Sequence, residues 1–423
     1  MSVLIQNVLH NGERVSILDD GKAPRFVQRA PAGVEIIDGQ GLEAVPAFWD
    51  LHVHFREPGN TDAEDLLSGA RAAAAGGYGL VCCEPNTRPV MDSVEKIIAF
   101  KRRVAELKIP ITVEPKAALT IGQEGRELVD IEALANEVRI FSTDGEPIVD
   151  RALLVEAFQR ISAINPQIQL HAHCEETPRS HARVVDALGD GPSLAREPEI
   201  IQLHLEALEE AESGFLHIQH VSMQRSMELV EDFTNKQLTH FNGMKLVTME
   251  VTPHHLLFTQ DDIPMRDGSR HPNWKMNPPL RSREDREAVQ HLRAFRSIAT
   301  DHAPHTMAAK CKGWDEAPFG VIGLETAFSA VTQFDKDNAE ALQYMRAMVL
   351  MCMSPLTQLV SPLSKRFEYG ITLIDWEKVW TVDPDKFYSK SRNCPFAGMT
   401  FKGKPVYTIV GGQLVMAEGE VLF

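Results

Sequence analysis

Residues 45–84 read VPAFWDLHVHFREPGNTDAEDLLSGARAAAAGGYGLVCCE. An apolar run gives way to a polar segment, an alanine-rich amphipathic run over 62–75, the pair Gly76-Gly77, and a second apolar run over 78–84. Thr61 is the expected N-cap of a helix, with Glu64 three residues on as in a capping box, and the glycine pair supplies the stop. Two strands separated by a helix-length connection are predicted to be parallel, because an antiparallel pair can close with a short hairpin.

The pattern repeats outward from there. Strands are predicted at 45–55, 78–84, 111–119, 138–142, 168–173, 215–220, 245–252 and 296–301, with helical patterns between them. Such strand–helix units, joined by right-handed crossovers, close into a (β/α)8 barrel; a doubly wound open sheet is the competing architecture. The flanks differ. Both chain ends carry short strand-like runs between Gly- and Asp-containing turns, and each is too small to bury a core alone. They are expected to pair into one small β-sandwich domain. The expected division is therefore 1–47 and 366–423 for that domain and 48–365 for the barrel.

Composition bounds the partners. The chain has 43 Lys and Arg against 59 Asp and Glu, a net charge of −16. That argues against nucleic acid, which needs a basic surface, and against an anionic membrane. No apolar run approaches the ~20 residues of a membrane span, and the start lacks the basic-then-apolar order of a signal peptide. The six cysteines form no CxxC pair, so a disulfide framework is not expected and a reducing, cytoplasmic compartment is. The 16 histidines are skewed: all except His10 lie between positions 52 and 305.

In a barrel the functional groups project from the C-terminal ends of the strands. Histidines and carboxylates fall there five times, in DLHVHFREPG, FSTDG, LHAHCEE, LHIQHVS and ATDHAPH. In His52-Val53-His54 both imidazoles share one face of a strand, since residues i and i+2 point the same way. Such a pair suits a borderline cation such as Zn²⁺, held by imidazole and carboxylate at ~2.0–2.2 Å. Arg56 continues that face and can fork onto a carboxylate. The segment 306–319, with Lys310, Lys312 and Gly313, reads as a lid.

Taken together and in order, DLHVHFREPG, EPNTRPVMD, EVTPHHL, KMNPPLR, ATDHAPHT and SRNCPFAGM resemble the long bacterial form of the dihydroorotase family, in the amidohydrolase superfamily. The resemblance implies two zinc ions per chain held by His52, His54, Asp144, His173, His220 and Asp301. Asp144 and a hydroxide would bridge them, where many relatives use a carboxylated lysine. It implies Asp301 as the catalytic acid and base. It implies His54, Phe55, Arg56, Asn86, Asn277, His305 and the segment Phe319-Gly320 as the substrate contacts. His171 and His217 then face away from the ligands or neighbour them, and Lys116 is structural or solvent-facing.

The implied activity is the interconversion of N-carbamoyl-L-aspartate and L-dihydroorotate in pyrimidine biosynthesis. The implied form is a cytoplasmic homodimer able to associate with aspartate carbamoyltransferase. The alternatives are an allantoinase- or hydantoinase-like cyclic amidase and an inactive scaffold subunit; the Arg–Asn–His set disfavours the first and the complete ligand set the second. Three positions depart from the family pattern. Glu84 stands where an apolar residue, commonly Met, is usual; Tyr78-Gly79 replaces a Thr after the glycine turn; FSTDG replaces FSDDG. Glu84 has no explanation at this level.

Overall fold

The computed structural model describes residues 2–22, 24–189, 196–239, 245–290, 296–334 and 370–423. Eight parallel strands follow one another in chain order round a closed barrel: Phe48–Val53, Tyr78–Cys83, Thr112–Pro115 with its continuation Ala117–Ala118, Ile140–Ser142, Gln169–Ala172, Gly214–Ile218, Lys245–Val251 and Arg296–Ile298. Parallel ladders join the first strand to the third and the fourth to the eighth. The seam closes just beyond the eighth strand, where Val53 lies opposite His302 and the His54 N–H donates to the His302 carbonyl at 2.9 Å. The fold is the (β/α)8 barrel, and the open sheet is excluded.

The strands have two apolar environments. Val81, Cys83, Val113, Phe141 and Leu216 join the main core with helix residues such as Ala73, Phe100, Leu154 and Leu205. Trp49, Leu51, Leu80, Cys82 and Ile140 form a separate cluster. Cys82 and Cys83 therefore go to opposite faces, as alternation in a strand requires.

Local boundaries differ from the sequence reading in two places. The predicted strand 45–55 is two strands: Glu43–Pro46 belongs to the terminal sheet and Phe48–Val53 to the barrel. The break falls at Ala47, whose N–H donates to the Gly370 carbonyl at 2.9 Å. The first helix is Leu66–Ala75, capped not by Thr61 but by Asp65, in a reciprocal capping box with Ser68. The reason is Glu64. Its fully buried carboxylate binds the Ser68 and Ser389 hydroxyls and the Lys390 N–H, and lies 3.3 Å from His302 Nε2, which draws the chain out of helical geometry until the next residue. The glycine stop holds: Gly77 has φ +89°, and a Cβ at Gly76 would lie 2.2 Å from the Leu324 carbonyl oxygen.

The two chain ends pair. Ile371–Thr381 runs antiparallel to Glu43–Pro46, with Ile371 opposite Pro46, and joins five strands from residues 3–46 to four from 371–421 in one sheet. Val3, Ile5, Ile17, Leu373 and Ile409 form its core. Thr372 and Thr408 fasten it to the barrel, donating to the carbonyls of Gly77 and Ala74 at 2.7 and 2.9 Å. The expected boundary at 365/366 and Cys352 lie outside the described residues. No helix among the described residues is long and apolar enough to cross a membrane.

Candidate active site

The six candidate ligands arrive from five strand ends and meet inside the barrel mouth. His52 Nε2 lies 3.2 Å from Asp144 Oδ1 and 3.5 Å from Asp301 Oδ1. His54 Nε2 lies 3.0 Å from Asp301 Oδ1 and 3.6 Å from Asp144 Oδ2. His173 Nδ1 and His220 Nε2 are 3.1 Å apart and stand 3.5 and 3.7 Å from Asp144 Oδ1. Asp144 is thus at the centre, touching the surroundings of all four imidazoles. His220 and Asp301 hold left-handed backbone, at φ +33° and +47°. Non-glycine residues take that conformation at a cost of about 1–3 kcal/mol, and it aims both side chains back into the mouth.

The donor chemistry fits divalent metal. His52 Nδ1 lies 2.6 Å from Glu250 and His54 Nδ1 3.0 Å from Asn86 Oδ1, which leaves each Nε2 turned inward. His52 Nε2 and His173 Nε2 are buried atoms without a hydrogen-bond partner. Burial opposes charge on His52, but Glu84, Asp144, Glu250 and Asp301 together draw its pKa well above the usual value. Burial likewise works against the Asp301 and Asp144 carboxylates, and the imidazoles around them outweigh it and hold both pKa values down. The site is a buried set of lone pairs and carboxylates short of positive charge. Geometric triads that could each hold an ion are His52, His54, Asp301 and His52, Asp144, His220.

Beneath the ligands the barrel interior is polar. His171 and His217 do not face away: their rings lie 4.3 Å apart in the layer below. His217 binds Thr248 Oγ1 at 2.7 Å and Glu250 at 3.0 Å. Lys116, fully buried, pairs with Glu84 and lies 3.1 Å from His171 Nδ1. Glu84 also accepts from Ser142 Oγ at 2.6 Å and Gln219 Nε2 at 2.8 Å. The unexplained Glu84 is the acid of a barrel-core ion pair, and Lys116 is structural rather than solvent-facing.

Above the ligands a cavity of about 620 Å³ is lined by Arg56, Asn86, Arg88 and His305 among others. Arg56 is half-buried and donates from Nε to the Pro304 carbonyl at 3.2 Å; burial lowers its pKa to about 10, which leaves it charged at neutral pH. Asn86 lines the cavity but spends its amide on His54 and, at 2.9 Å, on Asp144. His305, neutral because burial and then the Arg56 and Lys310 charges lower its pKa to about 3, lies 2.6 Å from the Phe319 carbonyl oxygen.

Three expected contacts sit differently. Phe55 is buried in the core, its ring so close to the helix that a Cβ on Gly69 would meet it at 2.4 Å; its side chain does not face the cavity. Asn277 is half-buried and does not wall this cavity. The Gly320 N–H is spent on the Lys275 carbonyl at 2.9 Å. Sequence reasoning missed Glu250, Gln219 and Asn393. Glu250 was signalled by a lone charge in the apolar run LVTMEV.

Comparison with known proteins places this geometry. Residues 42–187 match the family model described as Dihydro-orotase-like. A dihydroorotase of Geobacillus sp. strain WCH70 is 40% identical over 91% of this chain and 90% of its own. The chain belongs to the dihydroorotase family. The dihydroorotase of Bacillus licheniformis is 38% identical with both chains covered completely. Among solved structures, an L-hydantoinase (dihydropyrimidinase) from Arthrobacter aurescens superposes with a TM-score of 0.81 over 100% of this chain and 97% of that one, at 22% identity. That likeness shows the shared fold. As a dihydroorotase-family member the chain is an enzyme, a hydrolase of cyclic amides.

Proposed function

We propose that this chain interconverts N-carbamoyl-L-aspartate and L-dihydroorotate, with two zinc ions held by His52, His54, Asp144, His173, His220 and Asp301. The observation that carries this reading is the juxtaposition of the triads His52, His54, Asp301 and His52, Asp144, His220, with His173 3.1 Å from His220, and a cavity walled by Arg56, Asn86 and His305. Zinc held by these residues would supply Lewis acidity, lowering the pKa of a bound water towards ~7 and polarising an amide carbonyl.

The chain's own residues do the rest. Asp301, buried beside His54, would take a proton on Oδ from the attacking water as the new C–O bond forms and pass it to the ring nitrogen as the C–N bond breaks. Arg56, whose Nε is spent on the Pro304 carbonyl, would offer its Nη groups to the substrate carboxylate. Glu250 fixes the tautomer and orientation of His52. The catalytic unit in this reading is the barrel of 48–365, with 1–47 and 366–423 as the β domain. A cytoplasmic location belongs to this reading, and the free thiols of Cys82, Cys83, Cys174, Cys311 and Cys394 among the described residues are compatible with it. A homodimer able to bind aspartate carbamoyltransferase belongs to the same reading, and sedimentation with and without that enzyme checks it.

The test is direct. Purified protein given L-dihydroorotate should consume it, measured as loss of ring absorbance. A chelator should stop turnover and added zinc restore it. No turnover after zinc reconstitution, or faster turnover of hydantoin or allantoin than of dihydroorotate, overturns the assignment. Arg56→Met is expected to raise KM about 10- to 100-fold with a much smaller change in kcat, because a bidentate charged contact is lost while the ligands stay in place. Steady-state kinetics on the zinc-loaded variant measures both.

A further inference from the structure

The segment 306–319 is fastened at its base. Thr306 caps the short helix Met307–Lys310, and Lys310, only 3% exposed, turns inward. Its ammonium donates to the carbonyls of Lys275 at 3.1 Å, Pro318 at 2.9 Å and Gly320 at 2.8 Å. Three donors meet three acceptors, and among the described residues no carboxylate pairs with it. Burial and the neighbouring Lys275 ammonium push its pKa down to about 7, so the carbonyl dipoles are the main support of its charge.

A second buried side chain reaches the same carbonyl from the far end of the chain. Asn393 Nδ2 donates to the carbonyls of Gly320 and Ala303, each at 3.0 Å, and its Oδ1 accepts the His305 N–H at 3.3 Å. Between these anchors stand the His305 imidazole, which lines the cavity, and the Phe319 carbonyl, 2.6 Å apart. Gly320 makes the close approach feasible. Its φ is +132°, and a Cβ there would fall 2.8 Å from Ala303 Cβ and 3.0 Å from His305 Nε2.

We propose that Lys310 and Asn393 are positioning residues for substrate, holding the Phe319-Gly320 backbone and, through its hydrogen bond to Nε2, the His305 ring in one fixed orientation beside the cavity. Neither residue touches the cavity's metal ligands, so the clamp acts on binding rather than on the proton transfer. A ring whose orientation is fixed before substrate arrives loses less freedom on binding, which lowers KM. The inference rests on the cyclic-amide reading of the same site.

The experiment compares Lys310→Met and Asn393→Ala with the parent, using Val289→Ala as a core truncation remote from the cavity. L-Dihydroorotate turnover, zinc per chain and thermal midpoint are measured for each. Both clamp variants should raise KM at least tenfold with kcat within about threefold and full zinc, while Val289→Ala lowers the midpoint without moving KM. Unchanged KM overturns the clamp, as do kcat and zinc falling together. If Lys310→Met does not fold, Asn393→Ala decides; if neither folds, their role is structural and the proposal fails. An inactive zinc-loaded parent defeats the assigned reaction instead, which keeps the two failures apart.

Discussion

Asp301→Asn is expected to lower kcat by about 10³-fold while leaving the fold and zinc content near those of the parent. Asparagine keeps the shape and one ligating oxygen but cannot hold the proton. It is also among the few residues that accept the left-handed backbone found here at φ +47°, so the variant separates charge from conformation. His52→Ala differs in kind: it should abolish turnover together with metal binding, because His52 Nε2 faces both Asp144 and Asp301. Zinc analysis alongside kcat distinguishes the two. An Asp301→Asn enzyme with full zinc and more than a tenth of parental kcat would remove Asp301 from the proton path.

Lys116→Met should destabilise the barrel by about 3–5 kcal/mol, the cost of leaving a buried carboxylate unpaired. Glu84 would keep its bonds to Ser142 and Gln219 but lose its counter-ion in a fully buried layer. The paired variant Glu84→Met with Lys116→Met removes both charges and should recover most of that loss, since well-packed apolar pairs of similar volume often match buried ion pairs. Urea unfolding of the two single variants and the double one forms the cycle. Additive losses would mean that the two side chains act independently, contrary to their contact.

The barrel was legible because each strand–helix unit is a local pattern, and the convergence of the candidate ligands because they lie on strand ends in short motifs. The seam at Ala47 was not legible: Glu43 to Val53 is one apolar-rich run, and what divides it is a hydrogen bond to Gly370, more than 300 positions away. Thr61 lost the cap for a similar reason, since the partner that recruits Glu64 is Ser389. The Glu84–Lys116 pair shows the limit most clearly. Each residue alone looks misplaced, and only the neighbouring strands make them one neutral unit. Phe55 erred through proximity in sequence: it follows His54 but alternation turns its ring to the helices.

The seam itself has a kinetic meaning. Asp50 accepts from the Thr300 N–H at 3.2 Å, and His54 meets Asp301 across the same line, joining positions about 250 residues apart. Closing so long a loop costs entropy that local pairing does not. A nascent chain emerging from the ribosome can complete strands one to seven while the eighth is still unmade. Until Asp301 arrives, one wall of the reaction centre does not exist. The contacts that close the barrel are thus the same ones that bring Asp301 to His54.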